Sequence, residues 1–227
     1  MMLRRFMNGF WISMVIVGSV VSIGGYGVVE AKDVQTTKIN KKTQKEAEEF
    51  INSLGKTAFG VIKRPKITAE EVQQEFRSLL KKNFALKRIA IYSLGGYFRL
   101  LSKKEKKDFL ECFENMLIKF YSSRFTEYKT AKLEFVGSRK KSSIQVMVDS
   151  EIVRPNKENV SVVWSVYATD EGLRVYDVII GNVSVSNMYR SQFMSKISKE
   201  GKISEKGLKK FLADFRKKYG QNEEQKQ

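Results

Sequence analysis

The chain has 227 residues, with 42 Lys and Arg against 25 Asp and Glu, no His, one Cys and two Pro. Two Pro, 15 Gly and 42% hydrophobic residues exclude a disordered or fibrous protein in spite of a formal charge of +17, and the absence of His removes Ser-His-Asp triads, Cys-His dyads, HExxH zinc sites and an imidazole pH switch. A single Cys leaves no internal disulfide, no CxxC redox pair and no Cys-rich metal site, while the length suffices to bury a core without staples.

Arg4 and Arg5 precede a charge-free run from Phe6 to Val29, apolar at its centre over Phe10–Val21. Val29-Glu30-Ala31 then places small residues at −3 and −1. This is the order of a secretory signal over residues 1–31. Left uncleaved, the same run is long enough to act as an anchor helix, although Gly18, Gly24, Gly25 and Gly27 interrupt its second half. Either reading puts the body outside the cytoplasm. Loss of residues 1–31 removes Arg4, Arg5 and Glu30 and lowers the charge by one. Nucleic acid is not the expected partner of such an exported cation. An anionic membrane surface or an anionic protein is. The densest clusters are Lys103-Lys104 with Lys106-Lys107, Arg139-Lys140-Lys141, and Lys209-Lys210 with Arg216-Lys217-Lys218. They read as solvated helix faces and a hairpin tip, or as guidance to a lipid surface.

Residues 32–42 are polar and read as a flexible leader. A single domain then spans 43–220. Thr43 with Glu46 has capping-box spacing and opens a helix carrying Ala47, Phe50, Ile51 and Leu54, with Gly55 as its stop. Thr57–Lys63 is a short apolar piece before Pro65. Thr68 with Glu71 opens a helix over Ala69–Lys82, and Ala85–Tyr92 forms a short one ended near Gly95-Gly96. Ser102 with Glu105 opens the clearest helix, to Tyr121, where Phe109, Cys112, Phe113, Met116, Leu117, Phe120 and Tyr121 recur at helical spacing. Beyond Tyr128 the pattern changes. Leu133–Val136, Ser143–Val153, Val160–Ala168 and Leu173–Ile180 are rich in β-branched residues. Gly137–Lys141, Pro155–Asn159 and Asp170-Glu171-Gly172 separate them as turns. Ser184–Ser195 and Lys206–Lys218 read as closing helices, and residues 221–227 as a disordered tail. The expected fold class is α+β, a helical layer packed on one face of a four-stranded antiparallel meander.

Catalytic and cofactor motifs are missing. No GxxxxGK[ST] occurs, and the SxxK matches at Ser53, Ser78 and Ser138 are chance coincidences in a Lys-rich chain. Asp177 interrupts an apolar strand, either as a hydrogen-bonded structural carboxylate or as a general base. No nucleophile or metal constellation stands beside it in the sequence. Cys112, between Phe109 and Phe113, reads as a buried thiol or as a site of intermolecular pairing. No cofactor, metal or catalytic residue is expected, so the chain is not expected to be an enzyme.

Several stretches, in order, resemble the MlaC family, the periplasmic phospholipid-binding component of the Mla ABC transport system, also called the toluene-tolerance auxiliary family. These are Leu94-Gly95-Gly96-Tyr97-Phe98-Arg99, Phe109 and Phe113 with Tyr121, Val175-Tyr176-Asp177-Val178, Gly181-Asn182-Val183-Ser184 and Tyr189-Arg190-Ser191-Gln192-Phe193. The similarity runs from Phe50 to Leu212. Phe98 stands where the family has Trp, and Asn182 where it has Gly. Asn tolerates positive φ better than most residues, so the turn can persist.

The resemblance implies a cavity between helices and sheet that takes the acyl chains of one phospholipid, with the headgroup at its mouth. The wall candidates are Leu80, Phe84, Ile89, Tyr97, Phe98, Phe113, Met116 and Phe120 from the helices. From the strands they are Val146, Val148, Val162, Trp164, Val166, Val178 and Ile180. Each is either cavity wall or closed core, because periodicity does not distinguish the two. Arg99 and Arg190 are candidates for the mouth, where a guanidinium fork suits a phosphate, or for structural pairing. The resemblance also implies partners: phospholipid as cargo, an outer-membrane lipoprotein complex, and an inner-membrane ABC transporter bearing a lipid-entry domain, with the carrier itself a monomer. Two other readings fit the residues: a membrane-tethered α+β interaction module, and a binder of, or enzyme acting on, a small apolar ligand.

Overall fold

The computed structural model describes residues 41–155, 157–198 and 204–220. The signal over residues 1–31, residues 32–40 of the leader and the tail 221–227 lie outside the described residues, while Lys41 and Lys42, expected in the leader, begin the first helix. The described elements are helices and an antiparallel sheet, as the α+β pattern predicts. The sheet has five strands rather than four.

The first helix, α1, spans Lys41–Ile62 without interruption. Two expectations fail here. Thr43 is a buried residue inside the helix rather than its cap. Gly55 is not a stop either. A Cβ on Gly55 would come within 2.6 Å of Leu133 Cδ2, so helix and sheet approach closely at this glycine, and its small size serves packing. The apolar piece Thr57–Lys63 is therefore mostly the last turns of α1.

The next helix, α2 (Ala69–Asn83), starts with the predicted capping box, Thr68 and Glu71 each accepting from the other's backbone N–H. After it come α3 (Leu86–Leu94) and the single turn α4 (Tyr97–Leu100). Ser102 and Glu105 cap the long α5 (Lys103–Phe125) through three hydrogen bonds. Each of these starts is a local signal. A hydroxyl accepts from the N–H three residues on, and the acid returns the bond.

The strands are β1 (Lys132–Lys140), β2 (Gln145–Val153), β3 (Val160–Thr169), β4 (Gly172–Ile180) and β5 (Val183–Ser184), paired in chain order and all antiparallel. β1 is longer than expected. Gly137, read above as the start of a turn, is paired with Asp149, and Val136 is the extra residue of a bulge. The fifth strand follows a two-residue turn at Gly181 and Asn182, both at positive φ (52° and 72°). Asn182 thus supplies the conformation that Gly would otherwise provide, as a primed hairpin turn requires. Helix α6 (Val185–Ile197) begins at Ser184, and α7 (Glu205–Tyr219) at Ser204. In both, the hydroxyl accepts from the backbone three residues on.

Two apolar clusters result. One is helical and aromatic, with Phe109 at its centre. Its ring lies 5.6–6.3 Å from those of Phe98, Phe113, Phe193 and Phe215. The other lies on the sheet, where Ala47, Ile51 and Leu54 of α1 cover Val146, Val148, Val166 and Val175. Gln44 and Glu48 bond Ser138 at one end of β1, and Gly55 meets Leu133 at the other, so α1 runs along that strand.

Candidate functional site

The two clusters meet along α2 and the segment after it. Leu79 packs against the sheet cluster and its neighbour Leu80 belongs to the helical one. Adjacent positions on a helix point about 100° apart, so α2 divides its two leucines between two cores. Phe84 touches both clusters. Its backbone bridges Val175 in parallel, and the next N–H, of Ala85, donates to Val175 O at 2.9 Å. This short bridge ties the helical half to the edge of β4.

The wall candidates distribute across this seam. Leu80, Ile89, Tyr97, Phe113 and Met116 are buried in the helical cluster, with Phe98 half-buried against it. Val146, Val148 and Val166 are fully buried beneath α1. Trp164 and Val178 lean against the same cluster but stay half-buried, as does Ile180. Val162 is buried and pairs with both Ser150 and Ile180. Phe120 is exposed, its ring 6.3 Å from that of Tyr219.

The register explains this division. Val146, Val166 and Val175 form one cross-strand row, and Val148, Trp164 and Val178 the next. Ser150, Val162 and Ile180 form a third. α1 closes the first row and the β2 end of the second. Trp164, Val178 and Ile180, toward β4, remain a half-buried apolar strip. One polar pair sits inside it. Trp164 Nε1 donates to Ser150 Oγ at 2.8 Å, and Ser150 Oγ donates to Val162 O at 3.0 Å. The indole thereby keeps its hydrogen bond while its ring faces apolar neighbours. Ser150, Val175 and Leu79 are not among the wall candidates read from the sequence. Strand alternation from Val146 points to Ser150, but a serine carries no apolar signal.

The two arginines differ. Arg190 Nη1 donates to Tyr92 O at 2.7 Å, its guanidinium lies 5.1 Å from the Tyr92 ring centroid, and it abuts Gly95. It joins α6 to the end of α3. Arg99 is exposed on α4. Asp177 is a cap: it accepts from the N–H groups of Val178 and Ser186, each at 2.9 Å, and from the Ser184 hydroxyl. These bonds fix the β4–β5–α6 corner. Burial, with Glu111 and Asp108 nearby, pushes the Cys112 thiol up to about 11, which leaves it protonated at neutral pH. A shallow open groove of about 490 Å³ on α2 is lined by Gln74, Arg77, Ser78, Lys81 and Lys82, and no candidate residue reaches it. Among the described residues, no helix is long and apolar enough to cross a membrane.

Comparison with known proteins gives two findings. The family model for MlaC protein matches residues 52–216. A solved phospholipid-binding protein from Ralstonia solanacearum, in complex with a phospholipid, shares the fold with a TM-score of 0.66 at 21% identity, covering 77% of this chain and 99% of its own. No curated protein matches the sequence.

Proposed function

This chain belongs to the MlaC family, and on that premise we propose that it is a periplasmic phospholipid carrier rather than an enzyme. The observation that carries the reading is the seam: a half-buried apolar strip of Trp164, Val178 and Ile180 beside two separate cores joined through Phe84. Parting the helical half from the sheet along this line opens a cavity walled on one side by the strip and on the other by side chains such as Leu80 and Phe84.

The energetics favour a carrier of this kind. Each methylene moved out of water is worth about 0.8 kcal/mol. Two acyl chains of about 15 methylenes each therefore cost on the order of 20 kcal/mol to expose. A free phospholipid does not cross an aqueous gap rapidly against that cost, and an apolar wall supplies non-directional contact tolerant of chain length. The solved relative's bound phospholipid supports the reading. In this proposal the carrier exchanges its cargo with an outer-membrane lipoprotein complex and an inner-membrane ABC transporter.

The test is to purify the exported protein from an expressing bacterium and weigh it by native mass spectrometry. About one phospholipid per chain is expected. A chain that is repeatedly empty, and that takes up no labelled phospholipid from vesicles, refutes the carrier.

A further inference from the structure

Helices α5 and α7 lie side by side. Arg216 and Asp108 approach to 3.4 Å, and Asn115 Nδ2 donates to Tyr219 O at 2.9 Å. α7 buries Leu208, Phe211 and Phe215, and turns Lys206, Lys210 and Lys217 to solvent. On α5 the exposed side chains of the first turns are Lys103, Lys104 and Lys107. The two rows form one cationic face.

Its local acids are already engaged. Glu205 pairs with Lys209, Asp214 with Lys210 and Asp108 with Arg216, while Glu105 caps Ser102. Glu111, one turn farther along α5, is half-buried. No described ion pair joins Lys103, Lys104, Lys107, Lys206 or Lys217. Elsewhere the opposite charges interlock, as in Arg77 and Lys81 with Glu114, or Arg64 with Glu75. Lysines at the start of α5 also oppose the helix dipole, which favours acids there, so helix stability does not account for them.

We infer that this α5–α7 face docks the protein on an anionic phospholipid membrane surface. The residue type selects that partner over an acidic protein. Protein interfaces are depleted in Lys and anchored by buried aromatic or Arg side chains. This face presents exposed ammonium groups on flexible stems, with Phe109, Phe211 and Phe215 turned inward. Mobile point charges suit a diffuse sheet of phosphates, and their attraction reaches about a Debye length, roughly 10 Å at 0.1 M salt. The face does not depend on the carrier reading, since it concerns the outside of the molecule and not its cargo.

The experiment measures co-sedimentation of the exported protein with vesicles of phosphatidylcholine alone, or of phosphatidylcholine with phosphatidylglycerol, at low and at physiological salt. Each basic group at such a surface contributes about 5-fold to partitioning. The Lys206→Gln, Lys210→Gln, Lys217→Gln variant should therefore lose on the order of 100-fold on the anionic vesicles. A control with equal charge loss, Lys56→Gln, Lys63→Gln, Lys132→Gln, should stay close to wild type, and salt should abolish the difference. Circular dichroism checks that both variants are folded. Equal loss in the control overturns the proposal, because net charge and not this face would then govern binding. Equal binding to neutral vesicles overturns it, marking apolar insertion. No binding at low salt overturns it. Co-purified phospholipid is measured on the same samples. A chain that is empty and takes up no labelled phospholipid, yet still binds anionic vesicles, refutes the carrier and leaves this face standing.

Discussion

Placing a carboxylate at Val166 or at Val178 separates closed core from cavity strip. Val166 is fully buried between Val146 and Val175, under Ala47, Ile51 and Leu54. Val166→Asp removes roughly 2 kcal/mol of apolar burial. The new acid has no buried partner, so it must hold its proton, and binding that proton at pH 7 costs about 4 kcal/mol for a group of ordinary pKa near 3.9. The combined penalty of about 6 kcal/mol is comparable to the whole stability of many domains, about 5–15 kcal/mol. Val178 is half-buried, so water can solvate the carboxylate of Val178→Asp. A cost of about 1–2 kcal/mol is expected there, with the fold kept and lipid uptake lost. Urea unfolding followed by far-ultraviolet circular dichroism gives stability, and transfer of labelled phospholipid from vesicles gives uptake. The pH dependence adds a sign. Burial raises the acid's folded-state pKa above its unfolded value, so below about pH 4 only the roughly 2 kcal/mol of lost burial remains at Val166, and the penalty grows as pH rises toward neutral. Equal destabilisation at the two positions, or an Asp at Val166 tolerated at pH 7, refutes the assignment of closed core and open strip.

Three further outcomes follow from particular contacts. Arg190→Ala should cost about 1–2 kcal/mol in urea, through loss of its bond to Tyr92 O and its ring contact, with lipid uptake unchanged; lost uptake at wild-type stability would assign it to the mouth. Gly55→Val should destabilise by about 1–3 kcal/mol through overpacking on Leu133. Much of that should return in the double variant with Leu133→Ala, and additive costs would show that the contact is not the cause. Cys112, with its thiol pushed up to about 11, should react with iodoacetamide at pH 8 on the order of 100-fold more slowly than a free thiol, reaching the free rate in urea; rapid labelling of the native protein would contradict its burial.

Much of the fold was legible because its signals are local. The capping boxes at Thr68 and Ser102 need only residues three apart, and both form. β-branched alternation located strands β2, β3 and β4 to within a residue or two. The Gly181-Asn182 turn was readable, but the two-residue β5 after it was not, being too short to carry a period. Thr43 with Glu46 shows the limit of such signals, since the same spacing lies inside α1 where no helix start is needed.

What depended on distant partners was not legible. Gly55 has a stop signal's composition, yet its helix continues, because Leu133 comes from a strand far along the chain. Leu79 and Leu80 look alike in sequence but enter different cores. The same holds for the candidate site: Val146, Val148, Val166 and Val178 share one strand-face pattern, and only the position of α1 over the sheet seals the first three and leaves the fourth half-buried. By itself the sequence determined which residues leave water and in which kind of element. The tertiary structure alone decided what each packs against, because hydrophobic burial is non-directional and its periodicity does not encode the partner.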